Sequence, residues 1–337
     1  MANERNTSFE FFRLLSIFGV ICLHIPFDNI SSSFSVDLFR LSFRWCVPFF
    51  FILSGYFLSS LNGFPDITMA RLKRLLIIVS SANILFLPVL IYFKHLGFLN
   101  KDLFITGTWF HLWFLNSMVI FYLLIIGVSG FIFSRVVVSF ISLVIVSLFY
   151  FIDLMSAFDP FHYYGYLGLI RQFEAIPFMW FGFILSQIHI CSRKKSFYTS
   201  LLLIFFGLLI SLLEVYLLHL HGANIDKRTL LIGGVMLCVG FIFLARSLKF
   251  NDKSSHHVNK ISRHVLTIYI FHPFFISLAF YFVKKVTADN LIMLVLTSCL
   301  VFLLSLCASF FLEKALPSFY SLFKGSVVFF NKKSVNV

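Results

Sequence analysis

The sequence predicts an all-α membrane protein, a polytopic bundle of about ten transmembrane helices with both termini cytoplasmic. Three observations predict it. Of 337 residues, 60% are hydrophobic and only 12% charged, about half the charge of a soluble domain. Mean hydropathy is +0.95. Ten runs are each long enough to cross a bilayer, which takes about 20 apolar residues at ~1.5 Å rise. They cover roughly 8–27, 38–60, 72–93, 110–133, 136–155, 166–190, 197–220, 229–248, 264–283 and 290–312. This composition excludes an ordinary soluble globule, a disordered chain and a disulfide scaffold.

The first run carries Arg13 and His24 and no small-residue cleavage site follows it, so it reads as a retained helix and not a signal peptide. The surplus of 27 Lys and Arg over 14 Asp and Glu, a net +13, then sets the orientation. With the N-terminus inside, seventeen of the 27 cations fall in cytoplasmic segments, eight outside and two, Arg13 and Arg171, within spans. That is the positive-inside bias. It replaces a nucleic-acid reading, because no nucleic-acid fold signature accompanies the charge. The 249–263 stretch reads as a short cytoplasmic loop. Residues 1–313 read as one membrane domain and 314–337 as a short cytoplasmic tail along the inner leaflet. The six cysteines lack metal-ligand spacing, so neither a disulfide nor a metal is expected.

Ionisable groups inside lipid are expensive, which makes them the candidates for function. In the first run Arg13 and His24 are eleven residues apart, within about 20° of three full turns and about 16 Å along the axis. They share a face, and Glu10, three residues before Arg13, can pair with it. A snorkelling Arg and an interfacial His give the bland alternative. The second run opens with Arg40 and Arg44 and continues Pro48-Phe-Phe-Phe-Ile-Leu-Ser54-Gly55-Tyr56. Pro48 frees a backbone carbonyl and Ser54-Gly55 permits close approach of a helix or a ligand.

Arg71, Lys73 and Arg74 stand at the inner mouth of the third run, suited to phosphates and equally to topology anchoring. His111 and Trp113 open the fourth run. Trp113 fits an interfacial anchor, and His111 adds polar reach. Arg171 and Glu174, three apart in the sixth run, suit a self-neutralising bridge or a substrate contact. Glu214 lies in the seventh, and Tyr269-x-x-His272-Pro273 in the ninth.

In order along the chain, Glu10-x-x-Arg13-x10-His24, the Phe-Phe-Phe-x-x-Ser54-Gly55-Tyr56 element, Arg71-x-x-Arg74, His111-Leu-Trp113-Phe-Leu, Tyr269-x-x-His272-Pro273 and Glu313-Lys314 resemble the acyltransferase-3 family. These are integral membrane acyltransferases of bacterial surface sugars, and the likeness runs from residue 5 to 314. The family often has Asp where Glu10 stands. With no esterase-like domain fused here, the chain is similar to the stand-alone type. The resemblance implies transfer of an acyl group, acetyl by default, from cytoplasmic acyl-CoA to a sugar hydroxyl, the glycan being lipid-linked, O-antigen or another surface polysaccharide. It implies the bacterial inner membrane, acetyl-CoA as co-substrate and no tightly bound cofactor. It points to Arg13, His24, Arg71 and Arg74 as residues that matter for activity.

On that reading the CoA phosphates dock on Arg71, Lys73 and Arg74, and the thioester reaches His24. That histidine acts as general base, or itself accepts the acyl group. Arg13 positions the substrate or stabilises charge, with Glu10 fixing its rotamer. Arg40, Arg44, Ser54, His111, Trp113, Arg171, Glu174, Glu214 and His272 are substrate-facing or structural candidates. A glycolipid transporter or flippase is the rival reading on composition alone. Acceptor, acyl chain and oligomeric state are not legible.

Overall fold

The computed structural model describes residues 6–25, 34–61, 63–94, 107–129, 134–188, 192–225, 228–283 and 290–326. All ten apolar runs contain helix. They hold α1 (Thr7–His24), α2 (Phe34–Leu41) with α3 (Cys46–Tyr56), α4 (Met69–Lys94), α5 (Trp113–Val128), α6 (Ser134–Phe158), α7 (Pro160–Arg171) with α8 (Ala175–Gln187), α9 (Arg193–Leu220), α10 (Ile232–Ser247), α12 (Val265–Val283) and α13 (Asn290–Ala315). Two further helices, α11 (Asp252–Ser262) and α14 (Pro317–Leu322), lie outside those runs. Among the described residues the one sheet is a hairpin of Ser60–Leu61 with Phe64–Pro65, turned through Gly63 at φ 74°.

Among the described residues, six segments are long and apolar enough to cross a membrane: Thr7–His24, Leu38–Tyr56, Met69–Tyr92, Ser134–Phe158, Arg193–Leu220 and Leu291–Ala315. α5, α10 and Val265–Ile276 are apolar but shorter. The distribution of side chains is that of a helical membrane protein. Phe140, Phe205 and Leu303 face outward, more than half exposed, whereas Ser298 and Ser305 are buried and bond the carbonyls of Leu294 and Val301 in their own helix at 2.7 Å. Apolar residues outside and satisfied polar groups inside are what a lipid solvent requires.

Two of the runs break. The second turns at 42–45 and the sixth at 172–174, in each case just before a proline near the start of the following helix. Pro48 and Pro177 cannot donate to the carbonyls of Arg44 and Phe173, four residues back, so the helix restarts there. The restarted halves, α3 and α8, pack on each other. A Cβ on Gly55 would lie 1.9 Å from the Met179 carbonyl oxygen, and one on Gly182 1.9 Å from that of Ile52. Only glycine allows these backbones to cross so closely. Gly55 therefore serves helix packing.

The chain runs between two polar ends. At the Thr7 end, Asn259 Nδ2 donates to Thr7 Oγ1 at 3.2 Å and Ser8 Oγ to the Leu248 carbonyl at 3.2 Å. Arg193 donates to the Ser247 carbonyl, and Arg74 Nε to that of Lys324 at 2.8 Å. At the His24 end, Arg40 Nη2 donates to the Leu23 carbonyl at 3.2 Å and Thr108 N to Asn83 Oδ1 at 2.7 Å. Segments that the charge count put on one side thus meet at one end.

Two details differ from the sequence reading. The 249–263 stretch is not a loop. It contains α11, capped by Asn251 Oδ1 accepting from Ser254 N at 2.8 Å. The start of the expected tail is packed too, for Tyr320 is 4% and Phe323 0% exposed. Residues 327–337 lie outside the described residues.

Candidate functional site

α1 brings Glu10, Arg13 and His24 to the interior, as its spacing predicts. Arg13 Nη1 donates to both oxygens of Glu10, at 3.0 and 2.9 Å. One nitrogen holds the carboxylate, which leaves the rest of the guanidinium for a ligand. Both residues line a cavity of about 330 Å³ whose walls include Ser54, Phe114, Leu75, Ile78 and Tyr269. Ser54 Oγ satisfies itself on the Phe50 carbonyl at 2.7 Å.

Leu75 and Ile78 share a face of α4 with Arg71, one and two turns below. Arg71 and Arg74 therefore continue that wall toward the start of α4. Arg71 Nη1 donates to the Asp66 carbonyl at 2.9 Å and Arg74 is tied to Lys324 as above. Lys73 is exposed and projects from another face of the helix.

At the far side of Tyr269 three histidines converge. His24 Nδ1 lies 3.0 Å from His272 Nε2. The His111 ring meets His272 edge-on at 5.3 Å and Tyr269 at 5.2 Å. The Tyr269 hydroxyl donates to the His111 carbonyl. His111 and His272 are buried, at 1% and 0%. Arg171, Arg44 and Arg40 stand close enough to act on charge at His24. Arg40 also caps the carbonyl end of α1, a favourable place for a cation. The arrangement offers a nitrogen base, a cationic surround for a developing anion, and a narrow apolar cavity leading from further cations.

Other expected contacts resolve differently. Arg171 and Glu174 do not form a hydrogen-bonded ion pair, although the guanidinium stands close enough to act on the charge of the acid. The Arg171 guanidinium instead covers the Trp113 ring at 5.3 Å, while Glu174 is buried at 4% just before α8. Glu214 joins a structural node away from the cavity. Arg228 pairs with Asp153 at 2.8 Å and with Glu214. Asp153 accepts from Leu230 N at 3.0 Å, and Glu214 from Ile232 N at 3.0 Å.

Asp153 and Arg228 escaped the sequence reading, although two acids in apolar runs call for a buried cation. A second unforeseen cluster lies at the Thr7 end. His264 Nδ1 is 2.7 Å from Ser309 Oγ and 2.8 Å from Tyr320 Oη, and Arg263 pairs with Glu313 at 3.0 Å.

A family model described as an acyltransferase domain matches residues 6–314. Among curated proteins, the chain is 24% identical over 320 residues to a serine/alanine racemase of Enterococcus gallinarum, covering 86% of this chain and 44% of that one. It is 28% identical over 126 residues to an amino-acid racemase of Enterococcus faecalis, covering 35% of this chain and 18% of that one. The chain therefore spans less than half the length of the curated relatives it matches. No solved structure matches it.

Proposed function

From the premise that the chain belongs to the acyltransferase-3 family of membrane acyltransferases, we propose that it moves an acyl group, acetyl by default, from cytoplasmic acyl-CoA to a hydroxyl of a surface or lipid-linked sugar at the bacterial inner membrane. The helices would make ten passes with both termini cytoplasmic, the Thr7 end facing the cytoplasm. O-antigen or a similar polysaccharide is the acceptor class. The observation that carries the reading is the single cavity joining Glu10–Arg13, and the α4 wall that rises from Arg71 and Arg74, to Tyr269 beside the three histidines.

Phosphates of the donor would bind Arg71 and Arg74 through charge-assisted hydrogen bonds, with Lys73, on another face of the helix, adding only positive charge at the mouth. Its thin pantetheine arm would follow the cavity, and about 16 Å of helix separates Arg13 from His24. His24 would take the proton from the sugar hydroxyl as its oxygen attacks the thioester carbonyl. The carbon–sulfur bond then breaks, and the proton passes to the leaving thiolate to give free CoA. Arg171, Arg44 and Arg40 would stabilise the negative oxygen formed on the way.

The test is purified protein in nanodiscs given labelled acetyl-CoA, with and without lipid-linked glycan. Acceptor-stimulated CoA release with label on the glycan, lost in His24→Ala, is the expected result. Movement of the glycolipid across the bilayer with no CoA turnover would overturn the reading in favour of a transporter.

A further inference from the structure

The sequence Tyr269-x-x-His272-Pro273 reads as one device once its hydrogen bonds are traced. Pro273 sits inside α12. It has no N–H, so the Tyr269 carbonyl, four residues back, loses its helical partner. That carbonyl is taken instead by the His272 side chain, with Nδ1 2.7 Å away. A carbonyl oxygen only accepts, so Nδ1 of His272 carries the hydrogen. In a neutral imidazole the other nitrogen is then a bare acceptor.

That acceptor, Nε2, faces His24 Nδ1 at 3.0 Å. The two ring planes are nearly parallel, at 16°, with centroids 5.1 Å apart. The centroids are thus farther apart than the nitrogens by almost two ring radii, which is an edge-to-edge bond and not a face-to-face stack. The same bookkeeping repeats at His24. With His272 accepting, Nδ1 of His24 must donate, and Nε2 of His24 is left with its lone pair. His272 is fully buried, with the His111 ring edge-on against it, which leaves its imidazole little room to turn to another partner.

We infer that His272 is a positioning residue: held by the carbonyl that Pro273 frees, it locks His24 in the Nδ1–H tautomer and so makes Nε2 the basic nitrogen. The tautomer follows from geometry alone. Its consequence for turnover rests on the acyl-transfer reading.

The test has two arms on the full-length protein in nanodiscs. Nitrogen-15 NMR of histidine-labelled protein is expected to show His24 protonated on Nδ1 and bare on Nε2. His272→Gln, whose amide oxygen can still accept, is expected to retain that state, and His272→Leu to lose it. In the second arm, CoA release from acetyl-CoA with a free hexose should fall about 100-fold in His272→Leu and stay within about tenfold of the parent in His272→Gln, with acetyl-CoA affinity unchanged in both. Pro273→Ala returns a partner to the Tyr269 carbonyl and should yield mixed His24 tautomers without removing any imidazole, which covers the case of a leucine variant that fails to fold. An Nε2–H tautomer at His24 in the parent, or equal losses in the leucine and glutamine variants, overturns the inference. The expected tautomer with no acetyl-CoA turnover on either the hexose or the lipid-linked glycan would leave it standing and remove the acyl-transfer reading instead.

Discussion

Arg228 and Asp153 meet at 2.8 Å with neither side chain exposed at all. Glu214 closes the same node from α9, and Tyr150 stacks beneath the guanidinium at 5.0 Å. Two acids against one buried cation, completed by backbone N–H groups of residues 229, 230 and 232, tie α6 and α9 to the segment entering α10. Removing one partner strands the others in a medium that cannot hydrate them. Arg228→Ala is therefore expected to destabilise the protein by about 3–5 kcal/mol, seen as a lowered thermal midpoint in detergent. Acetyl-CoA affinity of the fraction that remains folded should not change.

His24→Ala is expected to lower acetyl-CoA turnover by about 10²–10⁴-fold, the range of a lost general base. Quenching the parent enzyme with acid during turnover and mapping any acetylated peptide distinguishes base from nucleophile. Label on His24 would replace the plain base mechanism with an acyl-enzyme. Full activity in the alanine variant would sink both.

Arg13 uses one nitrogen for Glu10 and keeps the others for the cavity. Arg13→Lys preserves the charge but not the planar fork. The lysine can satisfy Glu10 or a ligand, and turnover should fall at least about tenfold, an expectation taken from the difference between the two cations. Near-normal turnover would reduce the role of Arg13 to charge alone.

Arg71→Gln and Arg74→Gln should each weaken acetyl-CoA binding by about tenfold, roughly 1.4 kcal/mol, and affect glycan binding less. Isothermal titration with CoA measures it. Arg74→Gln should additionally loosen the segment around Lys324, whose carbonyl it holds at 2.8 Å, giving faster amide exchange there than Arg71→Gln does. Unchanged CoA affinity in both variants would make the pair topology anchors.

Gly182→Val places a side chain where the Ile52 carbonyl oxygen already stands, 1.9 Å from its Cβ, and should abolish the α3–α8 crossing and the yield of folded protein. Gly168→Ala, with nothing within 4 Å of the new methyl, is the control. It should be neutral or raise stability by about 0.5–1 kcal/mol, the helix preference of Ala over Gly.

What the sequence made legible was local. Glu10 and Arg13 pair because three residues of one unbroken helix separate them, and the same periodicity brings Arg13 and His24 to the interior. Arg171 and Glu174 have the same spacing, yet the guanidinium lies over the Trp113 ring and makes no hydrogen-bonded pair with the acid, so spacing alone does not name its partner. The 252–262 helix was hidden because eleven residues, all polar but Val258 and Ile261, resemble a loop until Asn251 is recognised as a cap.

Contacts across the fold were the least legible. His24 and His272 are 248 positions apart, and nothing in either neighbourhood specifies the other. Arg228 counted as a loop cation, because its partners lie in two other helices. Histidine, arginine and carboxylate are each recognisable in an apolar run; which of them meet depends on helix packing, which a single sequence leaves open.

Tyr269 is buried at 7%, lines the cavity on one side and touches His111 on the other. A bundle that takes a water-soluble donor from one compartment and serves an acceptor in another runs the hazard of becoming a pore. Protons and sodium would leak down their gradients through any continuous wet path. On the proposed reading, an aromatic ring with its hydroxyl fastened to the backbone would serve as an insulator at that point, blocking ions while a carbonyl group is handed over beside it. If the proposed transfer is right, the residue that holds the histidines in register would thus also let the membrane stay energised while the chemistry proceeds.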